Sequence, residues 1–279
     1  MCELFAMSSR IPTTISLSMR TLASRGAVGS HLADGWGVAF YEGNDVRVLR
    51  EPEPAADSDW LAFANARGVR SHIAIAHIRH ATQGEISLAN TQPFARELGG
   101  RLHCFAHNGM LPGVEGRLAD TGHRFRPIGS TDSEAAFCIL LERLAPLWAD
   151  GAPDAAERTS AVSDFAADMR KIGPANFVYS DGDLLIAHGH RRTQANGVIE
   201  PPGLTMLTRR CAIDRDALPH TGVAIEQTGQ DLTLFASVPL TDEPWLPLRE
   251  GEIVVVREGA PASPTDRDTS HPAPIAAGV

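Results

Sequence analysis

The chain has 279 residues, of which 43% are hydrophobic and 21% are charged, and its net charge at pH 7 is -9. This composition is typical of a soluble globular protein, and the length suffices for one large domain or two small ones. The acidic charge disfavours a protein that binds nucleic acid regardless of sequence, because such a protein carries a basic stripe. No apolar run is long enough to cross a membrane, and the first residues lack the basic and apolar regions of a signal peptide.

The four cysteines are Cys2, Cys104, Cys138 and Cys211, and none of them belongs to a Cys-x-x-Cys pair. Their wide spacing does not suggest a zinc site, and a disulfide framework is not expected in a chain of this length without an export signal. Cys138 and Cys211 are interpreted as small buried hydrophobic residues. We therefore expect a protein of the reducing cytoplasm that holds no metal.

The first half of the chain predicts two helices and several strands. A helix is predicted over residues 11–26, because Pro12 suits a first turn and Gly26 a helix end. A β-hairpin follows with its turn near residues 42–45, and then a short helix that Ser58 caps. Two strands come next, one over residues 72–79 and one that begins near residue 101, and each leads into a polar loop.

The second half predicts two helices and then further strands. Thr131 and Glu134 are spaced as a capping box at the start of the clearest helix, and a second helix ends at Gly173. A hairpin with Asp181 and Gly182 at its turn follows, and three more strands complete the pattern. This order indicates one α+β domain over residues 2–258, with helices packed on sheets, and a disordered tail over residues 259–279.

Cys2 is the first candidate for chemistry, because it directly follows the initiator methionine. Methionine before a small residue is commonly removed, and removal would leave Cys2 with a free α-amine. That amine has a reference pKa of about 7.7–8.0, so one residue would supply a thiol nucleophile and a general base. A cysteine at this position by chance is the simpler explanation for Cys2 taken alone.

Four further residues fit an amide-handling site around that thiol. Arg79 stands at a predicted strand end, where its guanidinium can bind a carboxylate. The side-chain amide of Asn108 and the backbone N–H of Gly109 can donate to one oxyanion. Asp132, in the first turn of a predicted helix, can accept from a substrate ammonium. Each has an ordinary alternative: a surface arginine, an Asn-Gly turn, and an acid that complements the helix dipole. Together they fit the γ-amide of glutamine.

The motifs carry a resemblance to a known family. In chain order they read MC, DGWGVAFYEG, HIRHATQG, NTQPF, HNGML, STDSE and ASVPL. This set resembles the class II glutamine amidotransferases of the N-terminal-nucleophile hydrolase superfamily. It is most similar to the stand-alone YafJ-like group, which resembles the γ-glutamyl hydrolase of ergothioneine biosynthesis. The resemblance covers nearly the whole chain up to the tail.

The resemblance implies a four-layer αββα sandwich, in which two antiparallel sheets lie between helical layers. It implies Cys2 as nucleophile, Asn108 with Gly109 as oxyanion hole, and Arg79 and Asp132 on the α-carboxylate and α-ammonium of the substrate. Thr82 would line the same pocket. Gly35 and Gly37 would let the backbone pass close to the nucleophile.

Two positions depart from the pattern of the larger members of the family. Those proteins usually have tryptophan after the arginine and histidine after the threonine, where this chain has His80 and Gln83. The outer wall of the pocket is therefore expected to differ, and with it the strictness of the preference for glutamine. From this sequence we expect no synthase domain after the amidotransferase motifs.

Three functions remain open at this level. The leading hypothesis is an amide hydrolase that acts on glutamine or a γ-glutamyl compound through a thioester, with no cofactor and no nucleic-acid or membrane partner. The protein could instead be a glutaminase subunit that supplies ammonia to a separate synthase. It could also be a sensor that binds glutamine without catalysis, although a sensor needs neither a nucleophile nor an oxyanion hole.

Overall fold

Two large antiparallel sheets form the centre of the protein, seen in a computed structural model that describes residues 2–17, 34–55, 58–80, 84–122, 124–210, 223–225 and 230–261. The strands are β1 (Glu3–Leu17), β2 (Trp36–Glu42), β3 (Asp45–Glu51), β4 (Arg70–Ile78), β5 (Phe94–Leu98), β6 (Arg101–Gly109), β7 (Ala175–Ser180), β8 (Leu185–His188), β9 (Arg192–Thr193), β10 (Ile199–Glu200), β11 (Thr205–Arg210), β12 (Val223–Ile225), β13 (Asp231–Ala236), β14 (Leu246–Pro247), β15 (Ile253–Arg257) and β16 (Ala260–Pro261). The helices are α1 (Asp59–Arg67), α2 (Val114–Ala119), α3 (Asp132–Leu144) and α4 (Ala155–Arg170).

The strand at the start of the chain occupies the middle of the first sheet. The order in that sheet is β14-β11-β13-β1-β4-β2-β3, with β12 also paired to β1. The second sheet has the order β16-β15-β8-β7-β6-β5, and β9 and β10 form a separate small hairpin. Because β1 has a partner on each side, the residue just before it lies at the end of a central strand rather than at a sheet edge.

The apolar side chains form three layers between and outside the two sheets. Leu4, Ile75 and Ala106 belong to the layer between the sheets. The outer face of the first sheet packs against α1, and the outer face of the second packs against α2, α3 and α4. Each strand thus sends alternate side chains to opposite layers. The predicted α+β sandwich of two antiparallel sheets between helical layers is confirmed.

The prediction of a helix over residues 11–26 is wrong for its first part, since residues 11–17 continue β1. Backbone pairing continues there, from Thr13 to Ser71 and from Ile15 to Ile225. β-Branched residues in this stretch favour extended backbone. Pro12 lies at a shift of register, where a strand tolerates proline, rather than in a first helical turn. Residues 18–26 lie outside the described part.

The other predicted elements are confirmed in kind. The β2–β3 hairpin turns at residues 43–44, and Ser58 Oγ accepts from the Leu61 N–H as the cap of α1. The β7–β8 hairpin turns at Asp181 and Gly182. Further elements that were not predicted are strands β5, β9, β10, β11, β14 and β16 and the short helix α2. The predicted tail over residues 259–279 begins too early, since β16 lies within it. Residues 262–279 lie outside the described residues.

The predicted capping box at α3 is only half correct. Thr131 Oγ1 accepts from the Glu134 N–H, as predicted. The Glu134 carboxylate, however, accepts from the backbone N–H groups of Ile128 and Gly129 and pairs with Arg96. The Glu134 side chain therefore binds the loop before α3 and not the Thr131 N–H, which it would bind in a capping box. A complete capping box occurs instead at the start of α4.

Buried histidines make the fold sensitive to acid. Burial lowers the pKa of His77 and of His188 to about 3 and that of His103 to about 4. The folded protein holds these rings neutral, whereas the unfolded chain binds protons near the usual pKa of about 6.5. Their contribution to stability is therefore present above pH 6.5 and is lost as the pH falls toward the folded-state values.

We predict that His77→Phe flattens this dependence. The wild-type free energy of unfolding should fall between pH 7 and pH 5 by about 2 kcal/mol more than that of the variant, since one ring no longer titrates. Urea unfolding at several pH values measures the difference. His72→Phe changes an exposed histidine on the same strand and serves as the control. Equal slopes for wild type and His77→Phe would contradict the prediction.

Candidate active site

Cys2 lies beside the end of β4, because β1 and β4 are antiparallel. Glu3 pairs with Ile78, so Cys2 meets the residues that follow β4. Its Sγ accepts from the His80 N–H at 3.3 Å and lies 3.4 Å from the His80 carbonyl oxygen. Burial raises the pKa of the Cys2 thiol, while the His80 N–H and the Arg79 charge act in the opposite direction. The thiol is thus held in a site that contains groups able to stabilise its thiolate.

Arg79 is almost fully buried next to this thiol, at 3% exposure. Its backbone N–H donates to the Gly35 carbonyl, and its own carbonyl accepts from the Asp34 N–H. Its Nη2 donates to the Gly84 carbonyl oxygen at 3.2 Å. Burial lowers the pKa of Arg79, and the nearby Cys2 and Asp34 counteract this effect. The guanidinium is therefore a buried cation close enough to the thiol for the two charges to influence each other.

Asn108 and Gly109 end strand β6 on the other side of Cys2. Asn108 Nδ2 donates to the Cys2 carbonyl oxygen at 2.6 Å and lies 3.4 Å from Ser237 Oγ. A Cβ atom on Gly109 would lie 1.8 Å from the Pro174 carbonyl oxygen, so no side chain fits at this position. The structure therefore brings the Asn108 amide, with Gly109 next to it in β6, into contact with the backbone of Cys2.

Asp132 is buried at the first position of α3 and binds the loop that follows Gly109. Its Oδ2 accepts from the Leu111 N–H at 2.7 Å, and its Oδ1 accepts from the Ser133 N–H at 2.7 Å. The Ser133 hydroxyl also donates to Oδ1, at 3.2 Å. A carboxylate has about four acceptor positions, so these three bonds leave room for one substrate donor, on Oδ2. Asp132 thus fixes the loop of the Asn-Gly pair against α3.

The remaining predicted residues divide into two groups. His80 is half-buried, and burial lowers the pKa of its ring. Thr82 and Gln83 lie outside the described residues, as does Cys211.

Within the described ranges, no group of three or more histidine, cysteine, aspartate or glutamate side chains is placed to hold a metal ion. In the same ranges no helix is long and apolar enough to cross a membrane.

The backbone segment that approaches Gly37 is not the one near the nucleophile, as the resemblance implies, but the one that carries Gln92. A Cβ atom there would lie 2.2 Å from the carbonyl oxygen of Gln92. The close approach is therefore between β2 and the segment that carries Gln92, one strand away from the thiol. Gly35 has φ +148°, and its carbonyl accepts from Arg79.

Comparison with known proteins identifies the family of this chain. The model of the family "Glutamine amidotransferases class-II" matches residues 1–277. The chain belongs to the class II glutamine amidotransferases. It is 35% identical over 258 residues to YafJ of Escherichia coli (strain K12), a match that covers 90% of this chain and 96% of that protein. Members of the family are amide-hydrolysing enzymes.

Solved structures confirm the fold of this amidotransferase. The crystal structure of a predicted glutamine amidotransferase from Pseudomonas aeruginosa PA01 has a TM-score of 0.67 and 31% identity, and the match covers 94% of this chain and all of that one. The glutamine phosphoribosylpyrophosphate amidotransferase of Bacillus subtilis has a TM-score of 0.59 at 14% identity, over 93% of this chain and 48% of that one. The Bacillus likeness concerns the fold alone.

Sequence reasoning missed the role of Gln92, although it lies in the quoted motif NTQPF. Its Oε1 accepts from the His107 N–H at 2.6 Å, and its Nε2 donates to the His107 carbonyl at 3.2 Å. Phe94 pairs with Phe105, so position 92 lies opposite His107, just before the start of β5. The Gln92 side chain thus completes the ladder of β6 immediately before Asn108. A glutamine before proline at a strand start was the available signal.

We predict that Gln92→Leu destabilises the amidotransferase by about 2–3 kcal/mol, because it leaves one buried N–H and one buried carbonyl of His107 without partners. Denaturant unfolding of the purified protein measures this. Gln194→Leu is the matched control, since its amide also bonds two backbone carbonyls but lies in a more exposed hairpin. Similar losses of unfolding free energy in the two variants would show that the bonds of Gln92 to His107 stabilise the protein no more than those of Gln194.

Proposed function

We propose that this chain hydrolyses the γ-amide of glutamine, or the amide of a γ-glutamyl compound, through a thioester on Cys2. The observation that carries the proposal is the meeting of Cys2 with Asn108 and Arg79, which are distant in sequence. A thiol, a side-chain amide donor and a buried cation in one place are what amide cleavage by a cysteine nucleophile requires. Membership of the class II amidotransferases supports the same reaction.

The proposed reaction uses the α-amine of Cys2 as general base once Met1 is removed. The amine takes the thiol proton, and the sulfur attacks the amide carbonyl to form a tetrahedral oxyanion. Collapse of this intermediate breaks the C–N bond, and the amine returns the proton to the leaving nitrogen. Ammonia or an amine departs and leaves a glutamyl thioester. Water, activated by the same amine, then releases the acid and restores the thiol.

In this mechanism Asn108 donates to the oxyanion together with the Gly109 N–H. Both hydrogens of its Nδ2 already face acceptors, the Cys2 carbonyl at 2.6 Å and Ser237 Oγ at 3.4 Å. The longer bond is the weaker one, so we infer that the hydrogen bond to Ser237 breaks and that this hydrogen turns to the oxyanion as it forms.

The substrate's amino-acid end would be held by two opposite charges. Arg79 would bind the α-carboxylate, and Asp132 would accept from the α-ammonium through the acceptor positions that Leu111 and Ser133 leave free. Thr82 would line the same pocket, and His80 and Gln83 would form its outer wall.

Either of two leaving groups fits this site. A hydrolase of γ-glutamyl compounds is supported by 41% identity over 81 residues to the gamma-glutamyl-hercynylcysteine sulfoxide hydrolase of Mycobacterium tuberculosis, across 28% of this chain and 32% of that one. A panel of glutamine, asparagine and γ-glutamyl amides, assayed for ammonia or amine release, distinguishes these substrates. Low glutaminase activity that rises on addition of a synthase would favour the ammonia-supplying subunit.

We predict that Cys2→Ala abolishes amide hydrolysis, and that Cys2→Ser retains under about 1% of wild-type activity because an alcohol is a far weaker nucleophile near neutral pH. The assay is ammonia or amine release by protein whose N-terminal residue has been established by mass spectrometry. Cys138→Ala, a buried cysteine of α3, is the control and should keep its activity. Full activity in Cys2→Ala would exclude the proposed nucleophile.

We predict that Asn108→Ala lowers kcat by about 10²–10³-fold with little change in KM, because the lost donor acts on the transition state. Asn196→Ala, in the exposed β9–β10 hairpin, should leave both constants unchanged. Steady-state kinetics on the best substrate of the panel measures both. A change in KM alone would mean that Asn108 binds substrate rather than the oxyanion.

A further inference from the structure

A buried ion pair adjoins the nucleophile and has no place in the reaction described so far. Arg192 Nη2 lies 2.8 Å from Glu3 Oε1, and Arg192 Nη1 lies 3.3 Å from Glu3 Oε2. The side chains are 4% and 0% exposed. Glu3 is the residue after Cys2, and Arg192 comes from the small hairpin outside the two main sheets.

The same guanidinium reaches the contacts of Asn108 through Ser237. Arg192 Nη1 donates to the Ser237 carbonyl oxygen at 2.6 Å. Ser237 Oγ accepts from the Leu4 N–H at 2.9 Å, and the Ser237 N–H donates to the Leu4 carbonyl. Because Ser237 Oγ is also the second acceptor for Asn108 Nδ2, one arginine links the chain beside the thiol with the oxyanion amide.

An ion pair in this position is not explained by stability. Removing two charges from water costs more than their attraction commonly returns, and apolar replacements of such pairs are often neutral or stabilising. The cost is visible at Glu3, where burial raises the pKa to about 7 although Arg192 opposes the shift. A fixed bidentate geometry, by contrast, restricts both backbones that it joins.

We propose that Glu3, Arg192 and Ser237 are positioning residues for the reaction at Cys2. Glu3 and Arg192 fix the backbone of residues 2–4, and Ser237 fixes the direction of the Asn108 amide before the oxyanion forms. This inference rests on the proposed function for its kinetic readout, but the restraint itself is a property of the folded chain.

The test compares Arg192→Gln and Glu3→Gln with Arg158→Gln. Arg158 forms an equally buried pair with Asp181, at 5% and 1% exposure, between α4 and the β7–β8 turn. All three substitutions disrupt a buried ion pair, but only the first two affect the pair beside Cys2. Where Arg192→Gln fails to fold, Arg192→Lys keeps the charge and loses only the bidentate geometry.

We expect Arg192→Gln and Glu3→Gln to lower kcat by about 10–100-fold, because a displacement of about 1 Å at reacting groups has effects of this size. KM should stay within about twofold of wild type. Arg158→Gln should leave kcat per folded molecule unchanged. The double variant of Glu3 and Arg192 should lose little more than either single one, since both remove the same restraint.

Hydrogen exchange separates this inference from the proposed function. Amides in the peptide that begins at Cys2 should exchange faster in Arg192→Gln than in Arg158→Gln at matched global stability. If the wild type hydrolyses no amide, the proposed function is refuted. The exchange rates would still show whether Glu3 and Arg192 restrain the backbone of residues 2–4. Unchanged kcat with unchanged exchange in Arg192→Gln, or equal losses in Arg158→Gln, would overturn the inference.

Discussion

The pairing of β1 between β4 and β13 is the constraint on which the site depends. Glu3 pairs with Ile78 and Phe5 pairs with Ala236, so the start of the chain is fixed on both sides. A residue that precedes an ordinary first strand would lie at a mobile end of the molecule. Here the register brings Cys2 beside Arg79 and His80 on one side and brings Leu4 to Ser237 on the other. The hydrophobic core holds this register, because a slip by one residue would exchange the side chains of the layer between the sheets with those of the outer layer.

Polar side chains form several hydrogen bonds that backbone groups usually form in a sheet. The Gln92 amide pairs with His107, the Asp132 carboxylate accepts from Leu111, and the Asn108 amide donates to the Cys2 carbonyl. Buried networks of this kind are rigid when every member is satisfied and costly when one partner is missing. The site is therefore preorganised by hydrogen bonds that also support the fold, and a bound substrate would exchange only the weakest of them.

Sequence patterns predicted the local features of this site better than its long-range ones. The caps Ser58 and Thr131, the turn at Gly182 and the strand that ends at Gly109 each depend on neighbouring residues, and each is present in the structure. The helix predicted over residues 11–26 failed over residues 11–17, because sheet pairing on both sides of β1 overrode the local signal of Pro12. Glu3 and Arg192 are separated by 189 positions, and no local pattern connects a glutamate with an arginine at that distance. The motifs thus singled out Cys2, Asn108 and Asp132 as candidates, while the residues that contact them emerged only from the three-dimensional arrangement.

The central claim is that the sulfur of Cys2 becomes acylated during turnover, and peptide mass spectrometry tests it most directly. The protein is mixed with glutamine or its best γ-glutamyl substrate, quenched in acid during steady state, and digested under conditions that preserve thioesters. The account predicts one glutamyl group on a peptide whose first residue is Cys2, and its loss on treatment with hydroxylamine. A glutamyl group on any other residue, or turnover by protein that still carries Met1, would contradict it.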